Sequence, residues 1–310
     1  MIALKPVLKR GALVAAANWQ VTLVQATADS LFKLLIATPI LGGAFLVALV
    51  AGTEPRELFG QDWRDLVATI VGSLFAHPFV LAAFLAAVGV VAVGGSLFVF
   101  LVKAGTVATL VRGERKAGPI EEAALHLESF RAAASFSPDA YVESSRTLFP
   151  RYARLGLMLM AVYLASGAAY LAAVFAIGLT GDTWGLAALT TILFVAWITV
   201  VNWIYLLVQI VVAADDCSVA VAAARAAAFV RRERRAVGMV FLVVLALVVV
   251  ATAVSWLATG ALWLIGFVPF IGLALIPIQL LAWLFRGLVF QYIGLSSVGA
   301  YARLYRGSLS

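Results

Sequence analysis

The chain has 310 residues, 64% of them hydrophobic and only 12% charged, with a formal net charge of +7 and a mean hydropathy of +1.07. Charged residues approach about 25% in ordinary soluble domains, so a soluble fold of this length would lack the polar surface to cover its core. The composition predicts an all-α polytopic membrane protein, a transmembrane helical bundle of about six spans with interfacial amphipathic helices, folded as a single integral membrane domain over residues 1–310.

The opening residues, MIALKPVLKRGALVAAANWQ, carry basic residues, a short apolar stretch and a small-residue run. That arrangement has some likeness to a secretory leader, but the apolar part is short and the segment is read as mature protein. Residues 1–30 are expected to form an amphipathic entry helix leading into a crossing at about 31–51. One long helix kinked at Pro39 is the alternative. Asn18, Thr22, Gln25, Asp29 and Lys33 follow at steps of four, three, four and four, which aligns them on one helical face. Asp29 and Lys33, one turn apart, form a candidate intramembrane ion site if that face is internal, and a solvated pair if it lies at the interface.

Further spans are expected at about 79–103, 155–179, 185–213, 237–265 and 270–293, each too long and too rich in Ala and Leu for a strand. Residues 54–76 and 119–152 read as amphipathic segments lying along a membrane face, the second starting a helix at Pro119. Asp215 and Asp216 close the fourth span and are expected to cap the Ala-rich helix that follows. That helix runs into RRERR at 231–235, where Arg231, Arg232, Arg234 and Arg235 are candidate contacts for anionic lipid. In the last span Gln279, Trp283 and Arg286 share a face, which makes Gln279 and Arg286 candidate intramembrane polar or lipid contacts. Arg286 can alternatively snorkel to headgroups. Ala161, Ala165, Ala169 and Ala173 repeat at steps of four, a spacing that lets helices approach closely in lipid, and internal packing is expected there. Thr252, Ser255 and Thr259 mark a similar face. Trp184, Trp203 and Trp263 fit interfacial belts.

The cations set the orientation. With six spans, three Lys or Arg precede the first, seven lie between the second and third, five between the fourth and fifth, and two follow the sixth, so seventeen of the 22 share one side. Arg56 and Arg64 alone fall on the other. Retention of basic residues on the inner side then predicts cytoplasmic N- and C-termini in a bacterial inner membrane. A basic membrane face accounts for the net charge without nucleic acid, so the expected partners are membrane lipids and further membrane subunits.

Chemistry-bearing patterns are scarce. The single Cys217 excludes an internal disulfide and a thiolate metal site. His77 and His126 have no partner set, and no His-Glu-x-x-His, nucleophile elbow, phosphate loop or dinucleotide fingerprint occurs. No catalytic, cofactor or metal site is expected. KAGTVATLVRG at 103–113 and LSSVGAYARLYRG at 295–307 can be aligned Gly105 on Gly299 and Arg112-Gly113 on Arg306-Gly307, which raises a three-plus-three repeat as one option.

From residue 209 onward, VVAADDCSVAVAAARAAAFVRRERRAV, two long apolar spans around GFVPFIG and the closing AYARLYRG resemble six-helix bacterial membrane families. These include the membrane domain found beside glycerophosphodiester phosphodiesterases and its relatives of unknown function. NWQVTLVQATADSLFKLLIATP resembles that family's opening helix more loosely. The resemblance implies a fold and not an activity, since the membrane part of that family carries no known catalytic residues. The function expected is a non-enzymatic scaffold or accessory subunit of a larger membrane assembly. A transporter or permease for a lipid-like or small amphiphilic substrate is the alternative.

Overall fold

The computed structural model describes residues 4–51, 62, 72, 73, 75–122, 127–178, 184–266 and 271–309. Among them are nine helices and no strand: α1 (Leu4–Ala17), α2 (Trp19–Ala51), α3 (Pro78–Lys116), α4 (Leu127–Ala133), α5 (Pro138–Gly178), α6 (Trp184–Asp215), α7 (Val219–Arg232), α8 (Arg234–Gly266) and α9 (Ile271–Gly307). Six of these, α2, α3, α5, α6, α8 and α9, are long and apolar enough to cross a membrane. The chain is a multi-pass membrane protein of the all-α class. Arg56, Arg64, His126 and most of the amphipathic segment expected at 54–76 lie outside the described residues.

The backbone divides into two compact units, Met1–Ala26 with Phe100–Ser310, and Thr27–Val99. In the second unit α2 and α3 meet at glycines. A Cβ on Gly95 would come within 2.5 Å of the Phe32 ring, and one on Gly43 within 2.5 Å of Phe84, so each ring occupies the space a side chain would need.

In the first unit the long helices extend past their apolar runs, and the extensions hold the core. Hydropathy marks where a helix can sit in lipid, but not where it stops. Thus α3 runs on to Lys116, α5 begins at Pro138 and α9 continues to Gly307. Within the segment expected to lie flat at 119–152, residues 138–152 are the first turns of α5, preceded by the short α4. Pro119 sits in the turn after α3 and starts no helix. Buried here are Val7, Val14 and Ala15 of α1, Val107 and Leu110 of α3, Tyr152 of α5, Ile210 and Val211 of α6, Phe229 of α7, Val240 of α8, and Val298 and Leu304 of α9. Away from this packed end the spans bury little. No residue of the apolar window of α5 is buried, and 11% of that of α8.

Most of the alanine stripe of α5 is not packed inside the chain: Ala161, Ala165 and Ala169 are exposed, and Ala173 is half-buried. The face that meets α6 is the polar one, where Tyr163 donates to Asn202 at 2.5 Å and Trp197 to Ser166 at 2.9 Å, while Tyr170 and Thr191 hydroxyls lie 3.0 Å apart. Hydrogen bonds have no water competing for them among acyl chains, so a polar seam joins two spans where small side chains offer only close approach. Thr252, Ser255 and Thr259 bond to carbonyls one turn back in their own helix.

Candidate functional site

The packed end is organised by α1. The expected entry helix ends early, with the break at Asn18, and α2 runs from Trp19 to Ala51 through Pro39. Asn18 is fully buried. Its amide donates at 2.9 Å to Val14 O and at 2.9 Å to Ala133 O, and its carbonyl oxygen accepts from the Ser135 amide at 2.9 Å. The side chain thereby replaces the backbone bonds lost at the turn and fixes α1 against the segment after α4. Two turns on, Gln25 accepts from Thr106 at 3.3 Å. The N-terminal half of the polar face predicted on α2 is internal.

Turning at Asn18 lays α1 along α9. The contact is close because Gly11 and Gly299 face each other; a Cβ on Gly11 would sit 2.7 Å from Ala300 N and nearer still to Ser296 O. Gly105 is also a point of close approach, against Tyr141 and Ser145 of α5. Both glycines of the suggested repeat therefore admit a neighbouring helix, though the helices they admit differ.

This approach carries Arg10 into the interior, where it is 2% exposed. Its Nε donates to Glu114 Oε1 at 3.0 Å, one terminal nitrogen to Gly118 O at 2.7 Å and Glu121 Oε2 at 2.5 Å, and the other to Glu114 O at 3.0 Å and Ala117 O at 2.6 Å. A guanidinium has five N–H groups in a planar fork, and here all five have acceptors. Glu114 also takes Arg306 at 3.1 Å, and Glu121 has Arg303 at 3.9 Å. Three arginines and two glutamates thus join α1, the end of α3, the turn after it and the end of α9. Burial works to raise the Glu121 pKa, but a backbone amide and the Arg10 and Arg303 charges outweigh it and hold the carboxyl below its usual value.

A second knot closes α6. Asp215 pairs with Arg225 at 2.5 Å and accepts from the Tyr305 hydroxyl at 2.6 Å, while Asp216 pairs with Arg151. Asp216 takes a left-handed backbone, φ 49°, which Asp tolerates better than most residues. The two aspartates do not cap α7 as expected. Ser218 is its N-cap and accepts from the Val221 amide, leaving both carboxylates free for arginines. The Cys217 thiol beside them is pushed up in pKa by burial, against the opposing pull of Arg225.

Tyrosine hydroxyls complete the ties between helices. Tyr141 donates to Val102 O at 2.8 Å, Tyr152 to Gln209 O at 2.8 Å and Tyr292 to Ala12 O at 3.0 Å. Each uses the second lone pair of a carbonyl. Trp203, expected in an interfacial belt, donates to Tyr301 at 3.0 Å and packs on Phe241.

The candidates named from sequence fall as follows. Asp29 and Lys33 pair at 2.7 Å, with 34% and 57% of their side chains exposed. Gln279 is exposed, and so is Arg286, whose guanidinium lies 5.7 Å from the Phe290 ring centre on its own helix. Arg231 and Arg232 end α7, and Arg234 and Arg235 begin α8 after the single residue Glu233. His77 is exposed just before α3. Among the described residues no group of three His, Cys, Asp or Glu side chains could hold a metal ion.

Arg10, Glu114 and Glu121 were not singled out from sequence as interacting groups. The available signal was the three glutamates, Glu114, Glu121 and Glu122, set among three cations in RGERKAGPIEE, in a chain that has only 15 Asp and Glu. Chemically the arrangement binds helix ends together; it presents no nucleophile beside a base. Compared with protein-family models, with curated proteins and with solved structures, the chain has no match.

Proposed function

We propose that this multi-pass protein is a non-enzymatic scaffold or accessory subunit of a larger assembly in a bacterial cytoplasmic membrane, with its packed end and both termini in the cytoplasm. One observation carries the reading: packing and ion pairing are concentrated at one end, while the spans keep wide lateral faces, among them the exposed stripe Ala161, Ala165 and Ala169. Small residues on an open lipid-facing side allow a second helix to come close. The basic packed end supports the orientation, since Lys and Arg are retained on the cytoplasmic side. The likeness to the membrane domain found beside glycerophosphodiester phosphodiesterases belongs to the same proposal and supplies no activity.

A photo-crosslinking side chain placed at Ala165 in the native membrane tests the assignment. The scaffold reading expects a discrete adduct heavier than the 32.8 kDa chain, with no such adduct from the lipid-facing position Leu247. A chain that migrates alone on native gels and forms no adduct from Ala165 overturns it. The alternative, transport of a lipid-like amphiphile, is favoured by the basic, apolar-walled cavity beside α8. It requires flux of such a molecule into vesicles holding the purified chain alone.

A further inference from the structure

Where α7 meets α8, a cavity of about 650 Å³ opens beside α1 and α9, within the range of about 300–1,000 Å³ typical of ligand sites. Its rim is Arg232, Glu233, Arg234 and Arg235, and its wall includes Val7, Met239, Val240 and Leu304. Three arginines against one glutamate leave the rim with a positive surplus.

These arginines differ from the five that tie the packed end together through ion pairs. Arg10, Arg151, Arg225, Arg303 and Arg306 each have a carboxylate partner. Arg232, Arg234 and Arg235 take part in none of the described ion pairs, and Arg232 donates only weakly to the Ser308 carbonyl at 3.3 Å. In addition, α8 has no acidic residue in its first turn and begins with two arginines. Their charges add to the positive end of the helix dipole, an arrangement that an anion relieves.

Polarity is ordered with depth. Val240 lies five residues beyond Arg235, about 7.5 Å further along the helix axis at the usual rise. An anionic group at the rim would therefore have a hydrocarbon chain leading directly onto Met239 and Val240. We infer that this cavity binds one anionic phospholipid of the surrounding membrane, its phosphate between Arg232, Arg234 and Arg235 and the start of its acyl chains on Val7, Met239 and Val240. The inference rests on the helices crossing a bilayer and not on the scaffold role. Inorganic phosphate could satisfy the rim but would leave the apolar wall empty.

The test is native mass spectrometry of the full chain released from micelles doped with equal phosphatidylglycerol and phosphatidylcholine. One phosphatidylglycerol is expected to be retained in preference to phosphatidylcholine. The double variant Arg234→Gln/Arg235→Gln is expected to lower that retention at least about tenfold, since a basic residue near a lipid anion is worth about a fivefold change. Met239→Trp, which fills the wall without altering charge at an exposed position, is expected to lower it too. Arg146→Gln removes an exposed charge on α5 that does not line the cavity and is expected to leave retention unchanged. Equal loss in Arg146→Gln would mean diffuse surface attraction and overturn the site. So would undiminished retention in Met239→Trp, full displacement by millimolar inorganic phosphate, or equal retention of phosphatidylcholine.

Discussion

Replacing Arg10 by Met removes the guanidinium around which the packed end is built. Three carbonyl oxygens, on Glu114, Ala117 and Gly118, lose a guanidinium donor, of which Gly118 O keeps the Ile120 amide at 2.8 Å, and Glu114 and Glu121 lose their closest cation. A buried acceptor left without a partner costs about 1–3 kcal/mol, and breaking a buried ion pair by removing one member about 3–5 kcal/mol. Because Arg306 at 3.1 Å still faces Glu114 and Arg303 at 3.9 Å still faces Glu121, neither carboxylate is left wholly without a cation. The upper figure from simple addition is therefore not reached, and the expected loss is about 3–5 kcal/mol. Arg10→Lys keeps the charge but places three donors on one nitrogen, which cannot span both carboxylates and the turn carbonyls, so about half of that loss is expected. Reversible unfolding in mixed detergent micelles, followed by tryptophan fluorescence, measures both variants. A loss below about 1 kcal/mol for Arg10→Met, or a lysine variant as stable as the parent, would refute the reasoning.

Three further outcomes follow from the same geometry. Gly11→Ala drives a methyl group into Ser296 O and Ala300 N of α9, both backbone atoms, so α1 must shift at a cost of about 1–3 kcal/mol, read from the same unfolding curve. Asn18→Leu strands the Ser135 amide and Ala133 O and is expected to cost about 2 kcal/mol, with faster hydrogen exchange at Ser135 as the specific readout. Glu121 has a depressed pKa in the folded state, so its stabilising contribution is complete above the unfolded carboxylate value and is lost as pH falls through the lower folded one. The parent should lose stability on acidification below about pH 4.5, and Glu121→Gln should flatten that limb of the curve.

The membrane-spanning character was legible because it depends on composition over some twenty residues, which no distant contact can change. The Ala-rich α7 and the basic joint after it were legible for a similar reason, as local alternation of apolar and charged positions. The interior of the packed end was not. Arg10 read as one more topology-setting cation because its partners Glu114 and Glu121 lie 104 and 111 residues away. Asn18 was placed on a continuous polar face, whereas its side chain does better as the hinge of a turn that buries it. Ala161, Ala165 and Ala169 had the spacing of a packing face, but the tyrosine, serine and asparagine seam on the other side of α5 offered hydrogen bonds and won. In each case the local pattern was real, and its meaning was settled by a partner distant in sequence.

The account stands on six helices crossing a bilayer with the packed end held on one side, and cysteine accessibility tests this most directly. In a Cys217→Ser background, single cysteines at Ser308, beyond α9, and at Trp184, where α6 begins about 48 Å from its Asp215 end at the usual rise, report on opposite ends of the spans. In intact cells a membrane-impermeant maleimide should label the Trp184 position and reach the Ser308 position only after permeabilisation. Equal labelling of both positions in intact cells, or of neither until permeabilisation, would contradict it.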